Sequence, residues 1–506
     1  MEPWLIVITF LCMSALLGRF VRLFFHTRNL PPGPPTVPVL GNFLWMLKSS
    51  NNFSSMEPVL RQLRAKYGPI VTLHLGSRPS IFITTHEAAH RALVQTGSLF
   101  ANRPSALTSS SVFFSKQHTL STAPYGSLWH LLRKNFMSLL HPSRLHLYSD
   151  GRKWALGVLK TKLIAAAQAD NKDIVVVEHF QFAMFCLLVY ICFGEQPEEH
   201  VIREIEVALR ASITNFIRFN VLNFIPNLGK IVFRKLWKEV LEIRRKQEIV
   251  LLPLIKARRE KHKYGVNNNI FYVDSLFDLR VPDGKITREL SDGELVSLCS
   301  EFINGGTDTS TTTLQWVMAN LVKKQEIQDK LLQEIKNTTE ADSYKEIEEE
   351  EVKKMAYLKA VILETLRRHP PGHFILPRAV TKDTKFDGYD IPKDAIVNFT
   401  VAEMAWDPKV WEDPMEFKPE RFMNEGVAFD VKGIREIKMM PFGAGRRVCP
   451  AISIATLHLQ YFVANLVRDF EWKEGNGYQV DLSETQEFTM VMKNPLRVSI
   501  TPTRKL

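Results

Sequence analysis

A single cysteine constrains this chain more than any other residue. Cys449 closes the run Pro441-Phe442-Gly443-Ala444-Gly445-Arg446-Arg447-Val448-Cys449-Pro450-Ala451. An apolar-periodic helix is predicted directly after it, with Ile452, Ala455, Leu459, Phe462, Leu466 and Phe470 on one face. The fold must therefore hold a thiol at a loop-to-helix junction, where a helix N-terminus and neighbouring cations favour the thiolate. The glycines let backbone N–H groups approach a sulfur or a flat ligand closely. Arg447, two residues before the sulfur, is placed to meet an acidic group on such a ligand. The plain alternative is a small buried hydrophobe, the usual role of a free cysteine.

The other cysteines are Cys12, Cys186, Cys192 and Cys299. An odd, scattered set of five with no C-x-x-C argues against a disulfide framework or a zinc site and suits a reducing compartment. The chain has 506 residues, 45% of them hydrophobic, enough to bury a large core. Length alone allows roughly three domains at ~150 residues each, yet no repeat or long Gly/Ser linker divides it. The net charge of +11 comes without a dense Lys/Arg tract or a nucleic-acid motif. It points to a membrane surface or an acidic protein partner rather than nucleic acid, with a generally solvated basic surface as the alternative.

The N-terminus supplies a membrane candidate. Pro3 to Gly18 is uncharged and largely apolar, and Arg19, Arg22 and Arg28 follow among Phe20, Val21, Leu23, Phe24 and Phe25. Counted through Phe25, with the arginines snorkelling, the stretch reaches the ~20 residues of a membrane span. Glu2 before it and arginines after it place the bulk of the chain on the cytosolic side. A cleaved signal peptide would instead need a basic start and a small-residue cleavage site. The expected organisation is an anchor over 1–28, a proline-rich tether over 29–42 and one large domain over 43–506. Sequons at Asn52, Asn337 and Asn398 should then stay unglycosylated.

Within the large domain, Ile70 to Leu75 and Ile81 to Thr84 read as a hairpin around residues 76–80. Most later segments are helical in period, so the fold class is mainly α with a small β portion. The acidic run Glu346 to Glu351 reads as a solvated approach to a helix. Ser291-Asp292-Gly293-Glu294 is a capping box opening a long helix. Its centre, Gly305-Gly306-Thr307-Asp308-Thr309-Ser310-Thr311-Thr312-Thr313, is weak. Each glycine costs about 1 kcal/mol in a helix interior, and threonine hydroxyls bond back to carbonyls. The expectation is a ladder that opens there, beside a ligand; a polar loop between two helices is the alternative.

A thiol presented as Cys449 is can serve as the axial ligand of a haem iron. The pattern Phe442, Gly445, Arg447 and Cys449 resembles the haem-ligand signature of the cytochrome P450 superfamily. Gly305-Gly306-Thr307-Asp308-Thr309-Ser310 resembles its oxygen-activation motif. Glu364 and Arg367, with Arg421 of Pro419-Glu420-Arg421-Phe422, resemble its structural Glu-Arg-Arg cluster. The proline-rich tether and the phrasing around Phe302 to Gly306 are similar to the microsomal plant A-type group. One departure is visible: the superfamily usually has glycine two residues after the cysteine, and here Ala451 adds a methyl.

The resemblance implies a cytochrome P450 fold with haem b between the long central helix and the cysteine loop. It implies a haem-thiolate monooxygenase acting on a small apolar substrate of plant specialised metabolism. Cys449 would ligate the iron, and Phe442 would line the loop. Trp129, Arg133, Arg378 and Arg447 would hold the haem propionates. Asp308 and Thr309 would form an acid–alcohol pair that handles protons, and Glu364, Arg367 and Arg421 would be structural. Phe113, Phe114, Phe302, Ile303, Ile375 and Met490 match pocket segments, although each serves equally well as core. Electrons would come from NADPH through NADPH–cytochrome P450 reductase, with cytochrome b5 as a second donor, at a basic face bearing Lys134, Lys438 and Arg446. The implied location is the endoplasmic reticulum membrane, single-pass, facing the cytosol. Two alternatives stand: a haem-thiolate isomerase or dehydratase that needs no dioxygen, and a non-enzymatic membrane haem-binding protein.

Overall fold

The computed structural model describes residue 13 and residues 29–36, 41–42, 56–75, 78–169, 173–223, 226–264, 270–339, 345–393, 395–423 and 429–503. Its longer helices are α1 (Glu57–Tyr67), α2 (Ser127–Leu139), α3 (Ser149–Gln168), α4 (Val177–Phe193), α5 (Glu199–Thr214), α6 (Arg234–Lys263), α7 (Asp292–Lys323), α8 (Gln325–Thr338), α9 (Ala356–Arg368) and α10 (Ile452–Asp469). The strands used below are β1 (Ile70–Leu75), β2 (Arg78–Ile83), β3 (Ile174–Val175), β4 (Ile396–Phe399), β5 (Phe470–Glu474), β6 (Glu484–Gln486), β7 (Met490–Met492) and β8 (Arg497–Pro502). The expected anchor over 1–28 falls outside the described residues except for Met13. Among the described residues no helix is long and apolar enough to cross a membrane.

The chain divides into two units, Met1–Pro104 with Leu376–Thr400, and Ser105–Ile375 with Val401–Leu506. In the smaller unit β1 and β2 pair antiparallel, and β4 adds to β2 in parallel. The second strand begins at Arg78, earlier than its apolar run predicts, because Pro79 is accepted opposite His74. The described part of the proline-rich stretch is not free. The Thr72 N–H donates to the Pro32 carbonyl at 2.9 Å. Asn42 Nδ2 donates to the Pro34 and Pro35 carbonyls at 3.0 Å each. Gly33 lies so close to β1 that a Cβ there would sit 2.0 Å from the Thr72 oxygen, which only glycine avoids.

The main hydrophobic core lies in the larger unit, around α4 and α7. Phe182 to Phe193 of α4 are buried without a break, so this helix is apolar all round and forms the centre rather than a face. Each such large side chain contributes about 1.5–3 kcal/mol on burial. On α10 the predicted face is buried at Leu459, Phe462 and Leu466. Ile452 and Ala455 in its first turns stay half-buried, and Phe470 leaves the helix to begin β5. β3 and β5 flank β8 in a three-stranded sheet.

Two expectations are corrected here. α7 begins on the predicted capping box, with the Ser291 N–H on Glu294 Oε2 at 2.8 Å and the Glu294 N–H on Ser291 Oγ at 3.3 Å. It then runs as helix through Gly305-Gly306 without opening. Packing overrides the weak propensity: a Cβ on Gly306 would sit 2.4 Å from Leu188 Cδ1 of α4, so glycine is what lets the two helices approach. The acidic run is also less solvated than its charge suggests. Glu349 is ion-paired with the fully buried Arg152 of α3, and Glu346 accepts from the Tyr461 hydroxyl of α10 at 3.0 Å.

Candidate active site

The cysteine loop is shaped by two left-handed glycines, Gly443 at φ 68° and Gly445 at φ 71°. The Cys449 N–H closes it onto the Phe442 carbonyl at 2.8 Å. The Ala451 N–H points at Cys449 Sγ, 3.4 Å away. Ala451 itself has φ −100° and ψ 16°, a conformation open to any residue, so its extra methyl brings no backbone strain. The sulfur lies deep, yet part of the residue's surface is open. Burial pushes the thiol's pKa up, against the Ala451 N–H and the Arg133 charge. The thiolate expected from helix and cations alone is therefore not favoured, and a bound metal cation is what would remove the proton.

Beside the loop stands a cationic cluster. The Arg447 guanidinium lies over the Trp129 ring at 4.8 Å and donates to the Ala123 carbonyl at 2.5 Å. Arg133 donates to the Val448 carbonyl at 2.7 Å, with its guanidinium 6.0 Å from the same ring. Three of the four predicted acid-binding residues are thus together. Arg378 belongs to the smaller unit, where it is buried and its backbone bridges to Val397. Lys134, Lys438 and Arg446 are exposed.

Along its middle α7 is buried except for one strip, Glu301, Gly305, Gly306 and Thr309. A Cβ on Gly305 would meet nothing within 4 Å, so the helix faces open space there. Thr309 Oγ1 donates back to the Gly305 carbonyl at 2.8 Å. Asp308, next to it, is 8% exposed and accepts from Arg210 of α5 at 2.5 Å. Burial raises the Asp308 pKa, Arg210 opposes it, and Glu487 and Glu206 add to the rise. A carboxyl moved up in this way exchanges its proton closer to working pH.

Glu364 and Arg367 are fully buried and bidentate at 2.7 and 2.8 Å. Arg421 Nε reaches Glu364 at 3.4 Å, and the Lys418 N–H adds 2.8 Å. Arg367 also donates to the Ala405, Pro414 and Glu416 carbonyls. Of the pocket candidates, Ile303 is fully buried in the main core. The Phe302 ring stacks on Tyr272 at 4.5 Å and meets Phe136, so it too is core. Phe113 is buried against Phe219, and half-buried Phe114 packs on the same cluster. Ile375 and Met490 are buried, and the Met490 carbonyl accepts from Trp316 Nε1 at 3.0 Å.

Residues 31–502 match the model of the family described as Cytochrome P450. The chain belongs to the cytochrome P450 family. It is 48% identical over 512 residues to cytochrome P450 89A9 of Arabidopsis thaliana, covering 98% of this chain and 99% of that one. Phenylacetaldehyde oxime monooxygenase CYP71AN24 of Prunus mume is 30% identical, over 94% of this chain and 89% of its own. A solved zebrafish cytochrome P450 with progesterone shares the fold at TM-score 0.75 and 20% identity, over 88% of this chain and 99% of that one. This plant cytochrome P450 is a monooxygenase, and its family implies a haem iron. Members generally use a redox partner and bind apolar substrates.

The residues present fit that group. A cysteine with some open surface and an N–H on its sulfur suits an iron ligand. The open face at Gly305 leaves room. Arg133, Arg447 and the Trp129 N–H suit two carboxylates. Two residues of this P450 site escaped the sequence reading. Glu301 accepts the Leu120 and Ser121 N–H groups at 2.8 Å each, pinning the segment whose Ala123 carbonyl holds Arg447. Its signal was its place, four and eight residues before Gly305 and Thr309 on one helical stripe. Arg210 carried no local signal, because only tertiary packing brings α5 to Asp308.

Proposed function

We propose that this P450 inserts one oxygen atom from dioxygen into a small, largely apolar plant metabolite, with electrons from NADPH through NADPH–cytochrome P450 reductase. Lys134, Lys438 and Arg446 offer an exposed basic face for that acidic partner or for cytochrome b5. The observation that carries the reading is Cys449, a partly open residue whose deep sulfur receives the Ala451 N–H. When bound, the haem iron supplies dioxygen activation, favoured by electron density from a thiolate ligand. The Ala451 N–H steadies the sulfur that would hold it, and Trp129, Arg133, Arg378 and Arg447 would bind its carboxylates. Asp308 would pass protons through its carboxyl, and Thr309 Oγ1 presents an alcohol on the open strip. Glu364, Arg367 and Arg421 hold the fold rather than the chemistry.

A reduced carbon-monoxide difference spectrum tests the ligand: Cys449→Ala should abolish the red-shifted Soret band, and its persistence would sink the assignment. Dioxygen and NADPH consumption with added reductase separates a monooxygenase from an isomerase or a carrier. We place the enzyme on the endoplasmic reticulum, held by one span within residues 1–28 with the catalytic domain cytosolic. Glycosidase treatment of microsomes should leave its gel mobility unchanged, since Asn52, Asn337 and Asn398 would never meet the lumen.

A further inference from the structure

Arg210 is a cation with work left over. Its side chain is 25% exposed, and it reaches Asp308 Oδ1 at 2.5 Å. A guanidinium carries five N–H donors. Among the described residues its side chain donates to Asp308 alone. Its other nitrogens are not enclosed, since the side chain keeps a quarter of its surface open. Asp308 lies three residues after Gly305, on the same face one turn along α7, so Arg210 stands beside the open strip.

The seam between α5 and α7 is polar beyond this pair. Asn304, one turn before Asp308, donates to the Leu209 carbonyl at 3.3 Å, while its buried Oδ1 has no donor. Arg210 pairs with Asp308, whose carboxyl also feels the nearby Glu206 and Glu487. Glu206 is partly neutralised by Arg203 at 3.0 Å. The local field is thus negative apart from Arg210, which disfavours a second anion. The unmatched donors suit a neutral acceptor.

Resting on the haem-thiolate reading above, we infer that Arg210 is a specificity-determining residue, which receives a neutral carbonyl group of the substrate while Asp308 holds its guanidinium in place. The substrate class is narrowed from any apolar molecule to an apolar skeleton carrying a ketone, ester, lactone or amide oxygen. Loss of water from the donors accompanies binding and is repaid by a charge-assisted hydrogen bond.

The test uses the haem-loaded full chain and N-alkylimidazoles, whose ring nitrogen ligates the iron and shifts the Soret band. Tails of graded length end in a methyl group, a methyl ketone or a carboxylate. At the tail length that reaches Arg210, the ketone should bind about tenfold tighter than the methyl control, and tighter than the carboxylate. Arg210→Met should erase that advantage and leave the methyl compound's Kd within about twofold; Arg210→Lys should keep part of it. A ketone that binds no better than methyl at every length overturns the inference. So does an advantage that survives Arg210→Met, or a carboxylate that binds best. No Soret shift with the methyl controls, together with no red-shifted carbon-monoxide band, would instead bring down the haem-thiolate reading and this inference with it.

Discussion

Two ion pairs in the larger unit look alike on paper and differ in what is left unmatched. Glu364 and Arg367 are wholly buried, and both the carboxylate and the guanidinium are saturated by each other, Arg421, a backbone N–H and three carbonyls. Asp308 and Arg210 are joined by one hydrogen bond and keep partial exposure. A closed network has no capacity for a ligand, and its role is to hold a shape. A pair with spare donors beside open space has that capacity. The contrast separates structural from functional charge more sharply than burial alone does.

The largest expected effect breaks the closed network. Glu364→Ala leaves Arg367 buried and uncompensated, at about 3–5 kcal/mol, so the yield of haem-loaded protein should collapse. Normal haem content would show that the cluster is not what holds the fold. Next, Asp308→Asn should leave the thermal midpoint nearly unchanged while turnover with reductase falls by about 100-fold or more. A loss of stability as large as that of Glu364→Ala would erase the distinction between the two pairs.

A pH titration probes a third charged group, buried like the first. Glu484 of β6 meets His369 at 2.7 Å and His373 at 3.1 Å. Burial lowers His369 from 6.5 to about 4, with Glu484 opposing. Burial acts to raise Glu484, but the bonds from the two histidines prevail and bring it to about 2. The unfolded chain takes up the His369 proton as pH falls through 6.5, and the folded chain does so only near 4. Stability from this group is therefore lost on acidification across that window. The thermal midpoint should decline between pH 6.5 and 4, less steeply in His369→Gln; equal slopes would remove His369 from the account. The smallest effect is expected at Ala451→Gly, within about 0.5 kcal/mol, with an unchanged carbon-monoxide band. A marked gain in haem affinity would mean that the methyl does crowd the site.

Legibility followed sequence distance. The cysteine loop, the capping box at Ser291 and the mainly helical class were readable because their determinants are neighbours in the chain. α7 was readable in extent but not in continuity: Gly306 looked like a weakness until Leu188 of α4 gave it a packing reason. Position left Ile303 and Phe302 open between pocket and core, and packing shows both buried among core side chains. Glu301 was marked only by helical periodicity, which says which residues share a stripe but not which stripe is open.

By itself, then, the sequence determined the family, the thiol proposed as ligand, and the weak, polar heart of α7. These rest on local backbone chemistry, in which glycine, proline and capping residues act within a few positions. Only the tertiary structure decided that Ala451 fits without strain, that the threonine-rich centre stays helical, and that Arg210 lies on Asp308. Those outcomes depend on contacts between residues about a hundred positions apart or more and on which side chains find a hydrogen-bond partner. Composition and periodicity carry no record of either.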